Sequence, residues 1–177
     1  MPLDLTNFFQ NSQILNNNDK QLIINWLPNK PKKINLLFNS NINGDSFETF
    51  LKNSNGKYPT LVIIETSKGV KFGGYTSKPW KEEKVTDENA FVFSLLSKKK
   101  YSIKNPSNAF GLYDIKHNFG CLVFGWGDNA IVIYTQCTSR SENYVRNETY
   151  NISEKAELNG GEEKFTVKCY ELFNINY

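Results

Sequence analysis

The stretch TLVIIETSKGVKFGGY, residues 60–75, predicts a β-hairpin. A continuous apolar run is followed by the turn Ser67-Lys68-Gly69 and then by a second strand pattern. Gly73 and Gly74 are unusual inside a strand, because glycine loses much backbone entropy and has no side chain to pack. We predict a bulge here that lets another part of the protein, the Trp80 loop or a helix, approach the backbone. A bound ligand is the alternative.

The rest of the chain adds further strands and two early helices. DKQLIINWL (19–27) has one apolar helical face that ends at Pro28. NGDSFETFLK predicts a second helix with Asp45 at its N-cap. Residues 136–161 are polar and weakly patterned. Strand patterns occur in KINLLF (33–38), AFVFSL (90–95), YSI (101–103), AFGLYDI (109–115), CLVFGW (121–126), AIVIYT (130–135) and KFTVKCYELF (164–173).

Seven or eight strands with short links predict a mainly β, α+β fold: a two-sheet antiparallel β-sandwich with flanking helices. We expect a single globular unit. In it, residues 1–33 form a helical lead-in that packs on a domain of residues 34–177.

Composition argues against several functional classes. The 177-residue chain has a net charge of +3, well short of the bias typical of proteins that mainly bind phosphate backbones. It contains one histidine, His117, and three cysteines without a CxxC motif, so it offers no metal or nucleophile signature. We expect no enzyme, no cofactor and no metal. A carboxylate pair of a hydrolase, or peroxide scavenging by a thiolate, is the catalytic alternative. We expect a cytoplasmic monomer without membrane insertion; nuclear localisation is also compatible with the sequence.

Six motifs occur in an order that resembles the TLDc domain family, which includes the eukaryotic oxidation-resistance proteins. They are LLF, DSFETF, PTLVIIETSKGVKFGGYTSKPW, DENAFVFSL, FGWGDNAIVI and KFTVKCYELF, over roughly residues 34–176. The resemblance implies a β-sandwich with flanking helices and protection against oxidative stress without an established catalytic activity. It also implies binding to the vacuolar-type proton ATPase. The family's motif residues fall on Gly73, Gly74, Trp80, Gly125, Gly127, Asp128 and Glu171.

Glu171 is unusual within its own strand. Alternation places it with Phe165, Val167, Cys169 and Phe173 on an otherwise apolar face. A buried acid must be hydrogen-bonded, paired with a cation or protonated. We therefore expect either a structural link to a loop or an acid at a cleft. A strand bulge that turns the side chain outwards is the alternative to burial. We expect Cys121 and Cys169 to be buried and unreactive.

Nucleic-acid binding is the alternative function. Lys98, Lys99, Lys100 and Lys104 surround Tyr101, and the cluster Lys30–Lys33 adds further charge. Lysines beside an aromatic ring could hold phosphates and stack a base.

Overall fold

The computed structural model describes residue 5 and residues 7–113, 121–127, 129–146, 148–154 and 156–177, with only the backbone of residue 121. These residues form twelve strands, four α-helices and one short 3-10 helix (Pro106–Asn108). The helices are α1 (Asn17–Trp26), α2 (Ser40–Asn43), α3 (Phe47–Ser54) and α4 (Ala156–Asn159). The strands are β1 (Lys33–Asn39), β2 (Thr60–Thr66), β3 (Lys71–Thr76), β4 (Lys84–Val85), β5 (Phe91–Ser94), β6 (Lys99–Ser102), β7 (Phe110–Tyr113), β8 (Cys121–Phe124), β9 (Ile131–Tyr134), β10 (Asn143–Val145), β11 (Lys164–Phe165) and β12 (Val167–Asn176).

The strands form two antiparallel sheets of six, which confirms the predicted sandwich. The first sheet has the order β1-β12-β2-β3-β5-β6, and the second has the order β11-β10-β9-β8-β7-β4. The structure has more strands than the sequence predicted. The additional strands β4, β10 and β11 have only two or three residues each. Such short segments carry no readable alternation. The polar region 136–161 accordingly contains β10 and α4, which the sequence pattern missed.

The hairpin of β2 and β3 is regular, so the predicted bulge at Gly73 and Gly74 is wrong. The register runs without a shift from Thr60 opposite Thr76 to Glu65 opposite Lys71. The turn is closed by Thr66, whose Oγ1 accepts a hydrogen bond from the amide of Val70 at 3.2 Å. The two glycines therefore sit in a regular ladder and not at a bulge.

Two apolar cores flank the first sheet. The inner core lies between the sheets and includes Phe50 of α3, Val62 of β2 and Phe124 of β8. The outer core covers the opposite face of the first sheet, where the N-terminal segment and α1 contribute Phe9 and Ile23. The first sheet is therefore buried on both faces, and its strands read as continuous apolar runs.

The predicted helices are present, with one correction at a cap. Helix α1 begins after Asn16, whose side chain accepts from the Asp19 amide at 2.9 Å, and it ends before Pro28. Helix α3 is capped by Ser46 and not by Asp45. Asp45 instead uses its carboxylate to accept hydrogen bonds from the amide and hydroxyl of Thr138.

The C-terminal segment is two strands in different sheets, which changes the predicted faces. β11 pairs with β10 in the second sheet, while β12 lies between β1 and β2 in the first. The register of β12 against β2 shifts between Val167 and Cys169. Phe165 and Val167 consequently face the inner core, whereas Cys169 and Phe173 face the outer core.

Candidate functional site

Glu171 lies fully buried at the outer face of β12, where three donors surround its carboxylate. Oε2 accepts from the Ser12 hydroxyl at 2.6 Å, and Oε1 accepts from the Gln13 amide at 2.7 Å. Asn39 Nδ2 of β1 donates to Oε1 at 2.9 Å. The described ion pairs do not include Glu171, so hydrogen bonds take the place of a cation.

The direction of these hydrogen bonds is fixed by neighbouring groups. Ser12 Oγ already accepts from the amides of Ile14 and Leu15, at 3.3 and 3.1 Å, so its proton points to Glu171. Asn39 Oδ1 accepts from the Asn41 amide at 2.8 Å, which turns the Nδ2 group towards the carboxylate. The arrangement therefore offers Glu171 donors only.

Burial and hydrogen bonding act in opposite directions on Glu171. Desolvation in the outer core raises its pKa, and the three donors lower it; the net pKa lies above the usual value. The geometry links β12 to the N-terminal segment and to β1. This arrangement fits the structural interpretation of Glu171, since the acid is fully buried and bonded to other parts of the fold.

Gly73 and Gly74 are required by close packing within the protein. A Cβ on Gly74 would lie 2.5 Å from Cζ of Phe124 in the opposite sheet. A Cβ on Gly73 would collide with the carbonyl oxygen of Val62 and lie 2.9 Å from Cζ of Phe93. The predicted self-contact is therefore present, but the neighbours are these side chains and the β2 backbone. The Trp80 loop and the helices are not the contact.

Trp80 is buried between the sheets. Its ring packs edge-on against Phe110 and Phe124, with centroids 4.8 and 5.4 Å away, and its Nε1 donates to Thr60 Oγ1 at 3.0 Å. Trp80 therefore supports Phe124, the ring that Gly74 accommodates, and acts in packing.

The motif glycines at the end of β8 serve the turn. Gly125 and Gly127 adopt φ angles of +83° and +87°, which side chains rarely allow. A Cβ on Gly125 would also lie 2.8 Å from both Ala130 N and Thr149 Oγ1, whereas Gly127 has open space around it. Asp128, the next motif residue, lies outside the described residues, as does His117.

The structure separates the residues of the nucleic-acid alternative. Tyr101 is buried, and its hydroxyl bonds to Ser97 and Glu157, so its ring cannot stack a base. Lys99 pairs with Glu157 at 3.2 Å, and Lys100 donates to the carbonyl of Trp26 at 3.1 Å. Lys98 and Lys104 are exposed.

The two described thiols are enclosed and unbridged. Cys137 and Cys169 are free and buried, and burial raises the pKa of each. A raised pKa disfavours the thiolate that would attack a peroxide. The side chain of Cys121 lies outside the described residues.

Sequence reasoning missed the partners of Glu171. Ser12 and Asn39 lie 159 and 132 positions away along the chain. Neither stands in a motif, and an isolated serine or asparagine gives no signal of a distant acceptor. Across the described ranges, no cluster of His, Cys, Asp and Glu could hold a metal ion. None of the helices in that part of the chain is long and apolar enough to cross a membrane.

Comparisons with known proteins place the chain in a family. MTOR-associated protein MEAK7 from Danio rerio is 32% identical over 62 residues, which is 34% of this chain and 14% of that protein. The protein of the same name from Xenopus laevis is 37% identical over 65 residues, 36% of this chain and 14% of that protein. The matched segments thus span a small part of each relative. The TLDc domain model matches residues 8–176, nearly the whole chain. The chain belongs to the TLDc domain family.

Proposed function

We propose that this TLDc module acts by binding a protein partner and not by catalysis, and that it contributes in this way to protection against oxidative stress. The observation that carries the proposal is the state of Glu171. The motif's acid is fully buried, and both of its oxygens already accept hydrogen bonds from groups of the fold. If Glu171 holds the fold together, the function of the module lies on its surface, where a protein partner can bind.

The thiols support the same proposal. Direct scavenging of peroxide requires an accessible thiolate, whereas Cys137 and Cys169 are buried and have raised pKa values. Their free state also suits a reducing compartment. A cytosolic monomer, with nuclear localisation as the alternative, is therefore part of the proposal.

The partner that we propose is the vacuolar-type proton ATPase. This follows from family membership, since several TLDc proteins bind that enzyme and alter its assembly. The relatives named above are described as MTOR-associated, so an MTOR-containing complex is the second candidate. The matched segments are too short to favour MTOR over the proton ATPase.

A binding experiment tests the partner. The purified chain is mixed with the purified soluble sector of the proton ATPase, or with purified MTOR complex, and co-elution is measured by size-exclusion chromatography. We expect co-elution with the proton ATPase sector. Co-elution with MTOR alone would replace the proposed partner, and co-elution with neither would refute both.

A second experiment separates binding from chemistry. Cells that lack their own TLDc proteins are given the wild-type chain or a variant with Cys121, Cys137 and Cys169 replaced by alanine. Survival of the cells in peroxide is compared at equal protein levels. The melting temperatures of the two purified proteins are measured separately. We expect the cysteine-free variant to protect as well as wild type. Lost protection with an unchanged melting temperature would favour the scavenger alternative.

A further inference from the structure

The N-terminal segment covers the first sheet with few backbone hydrogen bonds to it. We use the name clasp for residues 8–15. Its pairing with the sheet is one isolated parallel bridge between Phe8 and Ile34. By contrast, β12, which lies beneath it, is paired along its length with β1 and β2. The clasp therefore lacks the ladder that protects the strands of the sheet.

The clasp is instead anchored through side chains. The amide of Gln13 donates to Glu171, and the amides of Ile14 and Leu15 donate to Ser12 Oγ. Ser12 in turn donates to Glu171 Oε2. The contacts of the Ser12 hydroxyl and of the Gln13 amide thus converge on one carboxylate, and Asn41 Nδ2 makes a separate, exposed contact with Gln13 Oε1 at 3.3 Å.

The clasp backbone is also strained. Phe9 has a φ angle of +54°, in the left-handed region that is costly for an aromatic residue, whereas Asn11, at +64°, is of a type that tolerates this region. Phe9 is nonetheless fully buried, with its ring edge-on to Phe173 at a centroid distance of 5.1 Å. Strain of this kind persists only while surrounding contacts enforce it. Opening the clasp releases it.

We propose that the clasp opens as a unit while the two sheets stay folded, and that Glu171 is the latch that holds it closed. Opening uncovers the Glu171 carboxylate beside Phe173 and thereby changes the chemistry of this face of the first sheet. Helix α1 remains attached in the open form, since Asp19 pairs with Lys71 of β3 at 3.0 Å and Trp26 accepts from Lys100. The opening is a property of the chain alone and does not depend on the proposed partner.

Native-state hydrogen exchange on the full chain tests this inference. The amides of Gln13, Ile14 and Leu15 are compared with those of the central strand β9 at increasing denaturant. Local opening has a lower free energy than global unfolding, so we expect the clasp amides to exchange at least about tenfold faster, with little denaturant dependence.

Two matched serine variants identify the opening and its latch. Ser12→Ala removes a hydrogen bond to the Glu171 carboxylate and should speed exchange of the Gln13 amide, which binds Glu171 and not Ser12, about tenfold or more. Ser97→Ala removes the bond to Tyr101, which is 2.9 Å long and involves no clasp residue. That bond persists when the clasp opens, so Ser97→Ala should speed exchange in β9 and leave the clasp unchanged. If Ser97→Ala speeds both regions equally, the clasp opens only by global unfolding and the inference is wrong. If Ser12→Ala leaves hydrogen exchange of the clasp amides unchanged, Glu171 does not hold the clasp closed.

Discussion

Replacing Gly74 by alanine tests whether packing alone requires the paired glycines. The new methyl group would point into the inner core, where Cζ of Phe124 stands 2.5 Å away. Ordinary van der Waals contact begins near 3.4 Å, so the ring must retreat by about 0.9 Å. Phe124 is fully buried and packs against Trp80 and Phe110, which leaves it no free direction.

The expected loss follows from these contacts. Forcing an extra methyl group into a packed core costs about 1–3 kcal/mol. Alanine also restricts the unfolded chain, which offsets about 0.4–1 kcal/mol of that cost. We expect the free energy of unfolding of Gly74→Ala to fall by about 1–2 kcal/mol. Gly73→Ala should lower the free energy of unfolding further, because its new methyl group would meet the carbonyl oxygen of Val62. That oxygen belongs to the hairpin backbone and cannot rotate away as a side chain can.

The assay is urea unfolding of four proteins: wild type, Gly74→Ala, Phe124→Leu and the double variant. Leucine lacks the ring atoms nearest to position 74, so the two changes should compensate, with a coupling energy of about 1 kcal/mol or more. The control is Gly127→Asn, at a left-handed position with open space, where asparagine is tolerated. Wild-type stability in Gly74→Ala, or purely additive losses in the double variant, would refute the packing explanation.

The remaining predictions concern ionisable and reactive groups. Burial raises the pKa of Glu171 in the folded chain, so the stability that it contributes relative to Glu171→Gln is fully present below its unfolded pKa and decreases as pH rises through the folded pKa. Urea curves of both proteins between about pH 4 and 8 measure this difference, and an increase with pH would contradict it. Cys137 and Cys169 should react with a thiol reagent only as fast as the chain unfolds, as followed by mass spectrometry of the labelled peptides; fast labelling of either would show that the buried arrangement is wrong. Lys98–Lys100 should not support oligonucleotide binding, and salt-dependent binding that disappears in the triple alanine variant would restore the nucleic-acid alternative.

Local pattern was enough to predict much of the architecture. The apolar run in residues 60–65 and the turn after it predicted the hairpin of β2 and β3, since side-chain alternation and turn chemistry act over a few residues. The same reasoning placed α1 and indicated that Glu171 is buried. Errors occurred where segments were short, as in β10, or where a cap had two candidates, as at Asp45 and Ser46.

The sequence by itself therefore determined the longer strands, the sandwich and the presence of a buried acid, because each depends on the burial preference of neighbouring residues. Only the tertiary structure decided that Phe124 fills the space beside Gly74 and that Ser12 and Asn39 bind Glu171. Sheet pairing and the path of the N-terminal segment bring these residues together from distant parts of the chain. A contact of that kind depends on the geometry of the assembled layers, and no local periodicity encodes it.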